Sequence, residues 1–208
     1  MLKILNGYCG IGGNRKLWEN VEVTAIENNK EIAEIYKDNF PNDKVLITDA
    51  HKYLLNHYQE FDFIWYSPPC QSHSKIRRCM VYKGQNKAIY PDMSLYQEVI
   101  FLKYFAKKTT NWIVENVKPY YDPLIKPQIQ LGRHYIWSNF YIRKREFKNE
   151  MPITLITGKK DRHSFNIDKY DLNHRKDQIL RNLVDPEIGM YLLNESFKNK
   201  KPIFNFNY

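Results

Sequence analysis

Two positions in this chain have the makings of a reacting pair. Cys70 follows Pro68 and Pro69 and precedes Gln71, while Glu115 closes a later apolar run, Asn111-Trp112-Ile113-Val114. Two prolines fix φ and stiffen the backbone just ahead of the thiol. A buried structural cysteine needs no such support, whereas a nucleophile gains rate from being held in place. A thiol and a carboxyl group together suit addition to an electron-poor ring: sulfur adds, and the acid absorbs the displaced electron density. A free thiol with a pKa of about 8.5 is only a few per cent thiolate at neutral pH. Nearby cations or a helix N-terminus are expected to raise that fraction. A buried Glu beside an anionic ligand is expected to hold its proton more tightly than usual.

A second group of residues suits a nucleoside. Gly10, Gly12 and Gly13 sit between a strand and the next element, where glycine tolerates positive φ and lets a ligand approach the backbone. The spacing is not Gly-x-Gly-x-x-Gly, and no Gly-Lys-Ser/Thr follows, so neither a dinucleotide fingerprint nor a P-loop is present. Taken alone, the glycines are better explained by a plain structural turn. Glu27 tips the balance, because a carboxylate ending the next strand can accept from both hydroxyls of a ribose. Asp49, at the end of the third strand, can accept from an adenine amine. Without a phosphate cradle, the set favours S-adenosylmethionine over NAD or ATP.

The elements needed to position these residues are legible as alternating apolar runs. Strands are predicted at 2–5, 21–26, 45–47, 61–66 and 111–114, and helices at 14–20, 30–38 and 94–107. Such alternation gives an α/β fold, a mostly parallel sheet with helices on both faces. Ligands bind beyond the carboxyl ends of those strands, which is where Glu27, Asp49, Cys70 and Glu115 fall. Residues 71–91 read as a long basic loop. Later, strands are expected at 135–141 and 151–157, an irregular stretch at 158–175, and short helices at 176–182 and 186–194. Three parts follow: a core at 1–142, a segment at 143–175, and returning helices with a tail at 176–208.

Composition sets bounds on all this. The 208 residues carry a formal charge of +9, which permits a polyanionic partner without naming one. Three cysteines without a CxxC pair argue against a disulfide framework or a metal site. No run reaches the length of a membrane span, and no signal-peptide core is present. A soluble, cytoplasmic chain that avoids membranes is expected.

Taken together, the motifs resemble the DNA cytosine-C5 methyltransferase family. Tyr8-Cys9-Gly10-Ile11-Gly12-Gly13 is similar to its glycine motif, with Tyr8 where Phe is usual. Pro68-Pro69-Cys70-Gln71 with Ser74 is similar to its catalytic motif, although His73 replaces another Phe, and Glu115-Asn116-Val117 matches a third. The resemblance implies a Rossmann-like S-adenosylmethionine-dependent fold and methyl transfer to carbon 5 of cytosine in double-stranded DNA. It makes Cys70 the nucleophile at C6 and Glu115 the partner of N3 and N4. Tyr8, Gly10, Gly12, Gly13, Glu27, Asp49 and Pro69 become cofactor ligands, with no metal. Later text departs further: Arg133 stands near the base-gripping arginine, and Asn182 fits the family's Asn segment, although Arg181 and Asp185 replace its Gly and Pro.

The polynucleotide side of the reading rests on charge. Gln71, Ser74, Lys75, Arg77, Arg78, Lys83 and Lys87 follow the thiol closely, and cations there can neutralise phosphates around a flipped base. His134, Tyr135, Arg143, Lys144 and Arg145 add basic and aromatic character, and Lys159, Lys160, Arg162 and His163 form another basic stretch; either is able to contact phosphate or bases. The segment at 143–175 is short for a family target-recognition domain, so either a reduced reader or a partner chain supplies recognition. Two rivals stay open: cytosine methylation in transfer RNA, and a non-catalytic nucleic-acid-binding subunit.

Overall fold

The computed structural model describes residues 1–147 and 161–198. The sheet follows from side chains that alternate across each strand. In β1 (Leu2–Gly7), Ile4 packs with Phe63, Trp65 and Ile113 on one face, while Leu5 packs with Ile64, Tyr66 and Val114 on the other. Both faces are therefore buried, as parallel sheets require. With β2 (Val21–Glu27), β3 (Lys44–Ile47), β4 (Phe63–Tyr66), β5 (Asn111–Val117), β6 (Ile129–Leu131) and β7 (His134–Ser138), the sheet order is β3-β2-β1-β4-β5-β7-β6. The pairs from β3 through β5 are parallel; β7 runs antiparallel to β5, and β6 to β7.

Helices cover both faces. Tyr36 of α1 (Lys30–Asn39) and Ile188, Leu192 and Leu193 of α6 (Pro186–Lys198) join the Ile4 side. Leu54 of α2 (Ala50–His57) and Leu95, Val99 and Leu102 of α4 (Ser94–Phe105) join the Leu5 side. The remaining α-helices among the described residues are α3 (Lys75–Tyr82) and α5 (Lys176–Arg181), and a single 3-10 turn spans Tyr58–Glu60. The strand order reverses between β1 and β4, which opens a crevice at their carboxyl ends.

Several expectations need correction. The helix expected at 14–20 is a run of tight turns, in which Arg15 N–H bonds Gly12 O and Trp18 N–H bonds Arg15 O. The Arg15 guanidinium locks this path by its ion pair with Asp43, at 2.8 Å. The loop expected at 71–91 contains α3, whose first turn is capped by the Ser74 hydroxyl accepting from Arg77 N–H. The stretch expected to be irregular holds a small hairpin, β8 (Asp161–Arg162) with β9 (Phe165–Asn166). The strand expected at 151–157, Lys159 and Lys160, and the tail beyond 198 lie outside the described residues. Among the described residues no helix is long and apolar enough to cross a membrane.

Candidate active site

A cavity of about 470 Å³ opens at the β1/β4 crevice, a volume in the range of small-molecule sites. Its first wall is the segment after β1. Gly10, at φ +54, has nothing within 4 Å of an added Cβ, so its backbone faces open space. Gly12 serves packing instead, while Gly13 both lines the cavity and packs closely. A Cβ on Gly12 would strike the Phe40 ring at 2.3 Å, and one on Gly13 would strike Val184 O at 2.5 Å. Gly12 does not line the cavity.

Glu27 ends β2 at the same wall. One carboxylate oxygen accepts from Gly10 N–H at 3.1 Å and the other from Asn29 N–H at 3.0 Å. Burial pushes its carboxyl pKa up, and those amides pull it back. Each oxygen keeps a lone pair for a further donor. Tyr8 also lines the wall, and its hydroxyl donates to the buried Glu98 at 2.6 Å. Glu98 in turn meets His51 Nδ1 at 3.0 Å. Asp49 lies off the cavity, where its carboxylate caps α2 by accepting from Lys52 N–H. A helix cap and a strand-end ligand look alike in sequence.

The opposite wall carries the chemistry. Pro68, Pro69 and Cys70 follow β4, and the buried Asn116 side chain donates to Pro68 O at 2.9 Å, tying this segment to β5. Cys70 and Glu115 line the same cavity. Burial pushes the Cys70 thiol up to about 11; the Glu115 carboxylate adds to the rise, and the Arg133 cation opposes it. The thiolate help expected from local cations is thus outweighed by desolvation. Glu115 is buried, and its Oε1 lies 3.5 Å from Nε2 of the buried His134 on β7. Arg133 lines the cavity, and its guanidinium donates to the carbonyls of Arg181 and Leu183.

Those two carbonyls belong to the third wall, where Gln178, Asn182, Leu183 and Val184 join the cavity from α5 and the turn after it. Gly189 of α6 packs so closely that a Cβ there would lie 2.1 Å from Asn14 O. Arg162 was expected at a basic surface. It is buried, and it donates to Leu180 O and Leu183 O, supporting this turn from beneath. Arg143 likewise forms a two-pronged pair with the buried Glu195, at 2.9 Å and 3.1 Å.

Of the residues expected on the polynucleotide side, Gln71, Ser74 and Arg77 line the cavity. Lys75, Arg78, Lys83 and Lys87 are exposed outside it. Arg78 sits over the rings of Tyr82 and Tyr120, at 5.4 Å and 5.8 Å. His73 is fully buried, and its Nδ1 meets the Tyr121 hydroxyl at 2.6 Å. In the sequence His134 reads only as one of several basic and aromatic residues able to contact phosphate or bases; its place beside Glu115 comes from the β5/β7 pairing.

Comparison with known proteins bears on the family. The family model for C-5 cytosine-specific DNA methylase matches residues 2–123, well over half of the chain. Over 84 residues the chain is 36% identical to the human tRNA (cytosine(38)-C(5))-methyltransferase, covering 37% of this chain and 22% of that protein. The chain thus matches about a fifth of that relative's length. Among solved structures, the Entamoeba histolytica methyltransferase EhMeth aligns with a TM-score of 0.54 at 14% identity, over 95% of this chain and 98% of the other. A Spodoptera frugiperda DNMT2 mutant aligns with a TM-score of 0.40 at 24% identity, over 57% and 36% of the two chains.

Proposed function

The chain belongs to the C-5 cytosine-specific DNA methylase family, and on that premise we propose that it methylates carbon 5 of cytosine in double-stranded DNA. The observation that carries this reading is one cavity lined by both Cys70 and Glu115, with Gly10 and Glu27 on its other wall. Gly10 leaves open space and Glu27 offers spare lone pairs, so these residues fit an adenosine bearing a free ribose. Tyr8 on the same wall, Pro69 on the opposite wall and Asn182 on the third complete the cofactor's surroundings. S-adenosylmethionine, when bound there, supplies the methyl group that C5 takes.

The chain's own residues do the rest. Cys70 gives up its proton to solvent, and the thiolate sulfur bonds to C6 of a base turned out of the helix. Glu115 delivers its proton to N3 as that bond forms, and its other oxygen accepts from the N4 amine. Loss of the C5 proton to solvent, departure of Cys70 as its thiolate and return of the N3 proton to Glu115 restore the ring. Arg133 faces the thiol as a cation and favours its ionisation. The cations of α3 and the residues after it hold the phosphates flanking the base.

A second reading, transfer RNA as the substrate, is favoured by the name of the human relative. Recognition of the target falls to the segment at 143–175 or to a partner chain. Labelled methyl transfer to duplex DNA and to transfer RNA, run in parallel, tests the proposal. A duplex carrying 5-fluorocytosine should trap the protein covalently through Cys70, because C5 then has no proton to lose. Labelling of transfer RNA alone replaces the first reading with the second. A Cys70→Ala protein that matches the parent in every assay points to a binding subunit instead.

A further inference from the structure

Glu115 must present its two oxygens to the base in different states. One oxygen has to carry a proton to N3, while the other has to accept from the N4 amine. A carboxylic acid free to rotate, or to move its proton between oxygens, offers the wrong pair half of the time. Something in the protein has to tell the two oxygens apart.

The β5/β7 ladder supplies it. Glu115 pairs with Ile136 and Val117 pairs with His134, so His134 is the diagonal neighbour of Glu115 on the same face of the sheet. Its Nε2 lies 3.5 Å from Glu115 Oε1, and both side chains are more than nine-tenths buried. That contact is long for a hydrogen bond, but contacts at reacting groups often tighten only when substrate arrives. The ring also lines the cavity.

We propose that His134 is a positioning residue for the acid: its neutral imidazole donates from Nε2 to Glu115 Oε1, reserving that oxygen for the N4 amine and leaving Oε2 to carry the proton for N3. The inference rests on the reading of Glu115 given above. It requires an uncharged ring, because an imidazolium would hold the carboxyl group ionised and unable to protonate N3. The surroundings favour the uncharged form. Burial holds the His134 pKa well below the usual histidine range, and Arg133 and Arg162 push it the same way. Glu115 is the acidic group facing it across the ladder.

Two measurements test the idea independently. Side-chain ¹⁵N resonances of histidine in the free protein should place the His134 proton on Nε2, with the ring neutral at pH 7. Glu115→Gln should shift that Nε2 resonance. A proton on Nδ1 alone, a charged ring, or no response to Glu115→Gln overturns the proposal. These readings need no activity, so they stand even if no covalent trapping on 5-fluorocytosine occurs, which would sink the methylation reading itself.

The second measurement is kinetic. His134→Phe should lower kcat about tenfold, part of the 100- to 10,000-fold that a positioned acid supplies. It should also move the alkaline limb of the pH profile upward, because the lost N–H had favoured the ionised carboxyl. Cofactor affinity should stay unchanged, and His134→Gln, which keeps a donor, should recover most of the rate. Parental kcat and an unshifted pH profile in His134→Phe would equally overturn the proposal.

Discussion

At the β1/β2 end of the cavity the ligand-facing groups are set by backbone: Gly10 presents its main chain, and Glu27 is clamped by two amides. At the β4/β5 end they are ionisable side chains, Cys70, Glu115, His134 and Arg133; Glu115 and Arg133 push the Cys70 thiol in opposite directions, and Arg133 holds the His134 pKa down. The first arrangement is fixed by main-chain hydrogen bonds, with the Glu27 carboxyl held above its usual range by burial. In the second, burial and neighbouring charges set which protons are held. A site that only binds is served by the first kind; one that must move protons needs the second.

That contrast can be broken from either end. The largest effect is expected from Glu115→Gln, which keeps shape but cannot release a proton. Its kcat should fall about 100- to 10,000-fold, while cofactor binding by calorimetry stays at the parental level. Weakened cofactor binding would show that the two ends are not separable. Next comes Gly13→Ala, whose Cβ would meet Val184 O at 2.5 Å. Urea unfolding should show a loss of about 1–3 kcal/mol. Gly10→Ala, clear of neighbours but at φ +54, should cost about 1–2 kcal/mol from backbone strain alone.

Glu27→Gln sharpens the comparison further. Losing the charged acceptor should weaken cofactor binding about tenfold, or roughly 1.4 kcal/mol, and leave the rate at saturating cofactor unchanged. The smallest effect concerns the thiol. Because burial raises the Cys70 pKa to about 11, its alkylation, followed by peptide mass spectrometry, should keep climbing with pH until near that value. Removing the Glu115 charge should shift the curve to lower pH, and Arg133→Ala should shift it to higher pH. A plateau near the ordinary thiol range would contradict the burial described here.

Much of this was legible before any coordinates. β-branched and apolar runs marked β1 to β5, and their ends carried Glu27, Cys70 and Glu115, because parallel strands leave their chemistry on one edge. Legibility failed where one residue type serves two purposes. Asp49 reads as a ligand at a strand end, yet its carboxylate caps α2, a helix too short to announce itself. Ser74 reads as a contact in a loop, yet it starts α3; the cap was the available signal, masked by a run without helical periodicity. Arg15 to Trp18 look helical, but the Asp43 ion pair fixes turns there instead. His134 reads as a candidate phosphate or base contact, but its relation to Glu115 was beyond reach, since the two lie on different strands and only the ladder register brings them together.

The contacts of Gly13 with Val184 and of Gly189 with Asn14 bear on how the molecule opens. Segments separated by most of the sequence form a single seam, and the cavity lies along it. A small molecule seated there would act as a rivet through both plates. Amide exchange should therefore slow along α6, far from the reacting atoms, in step with occupancy, so that a remote helix reports whether the crevice is filled.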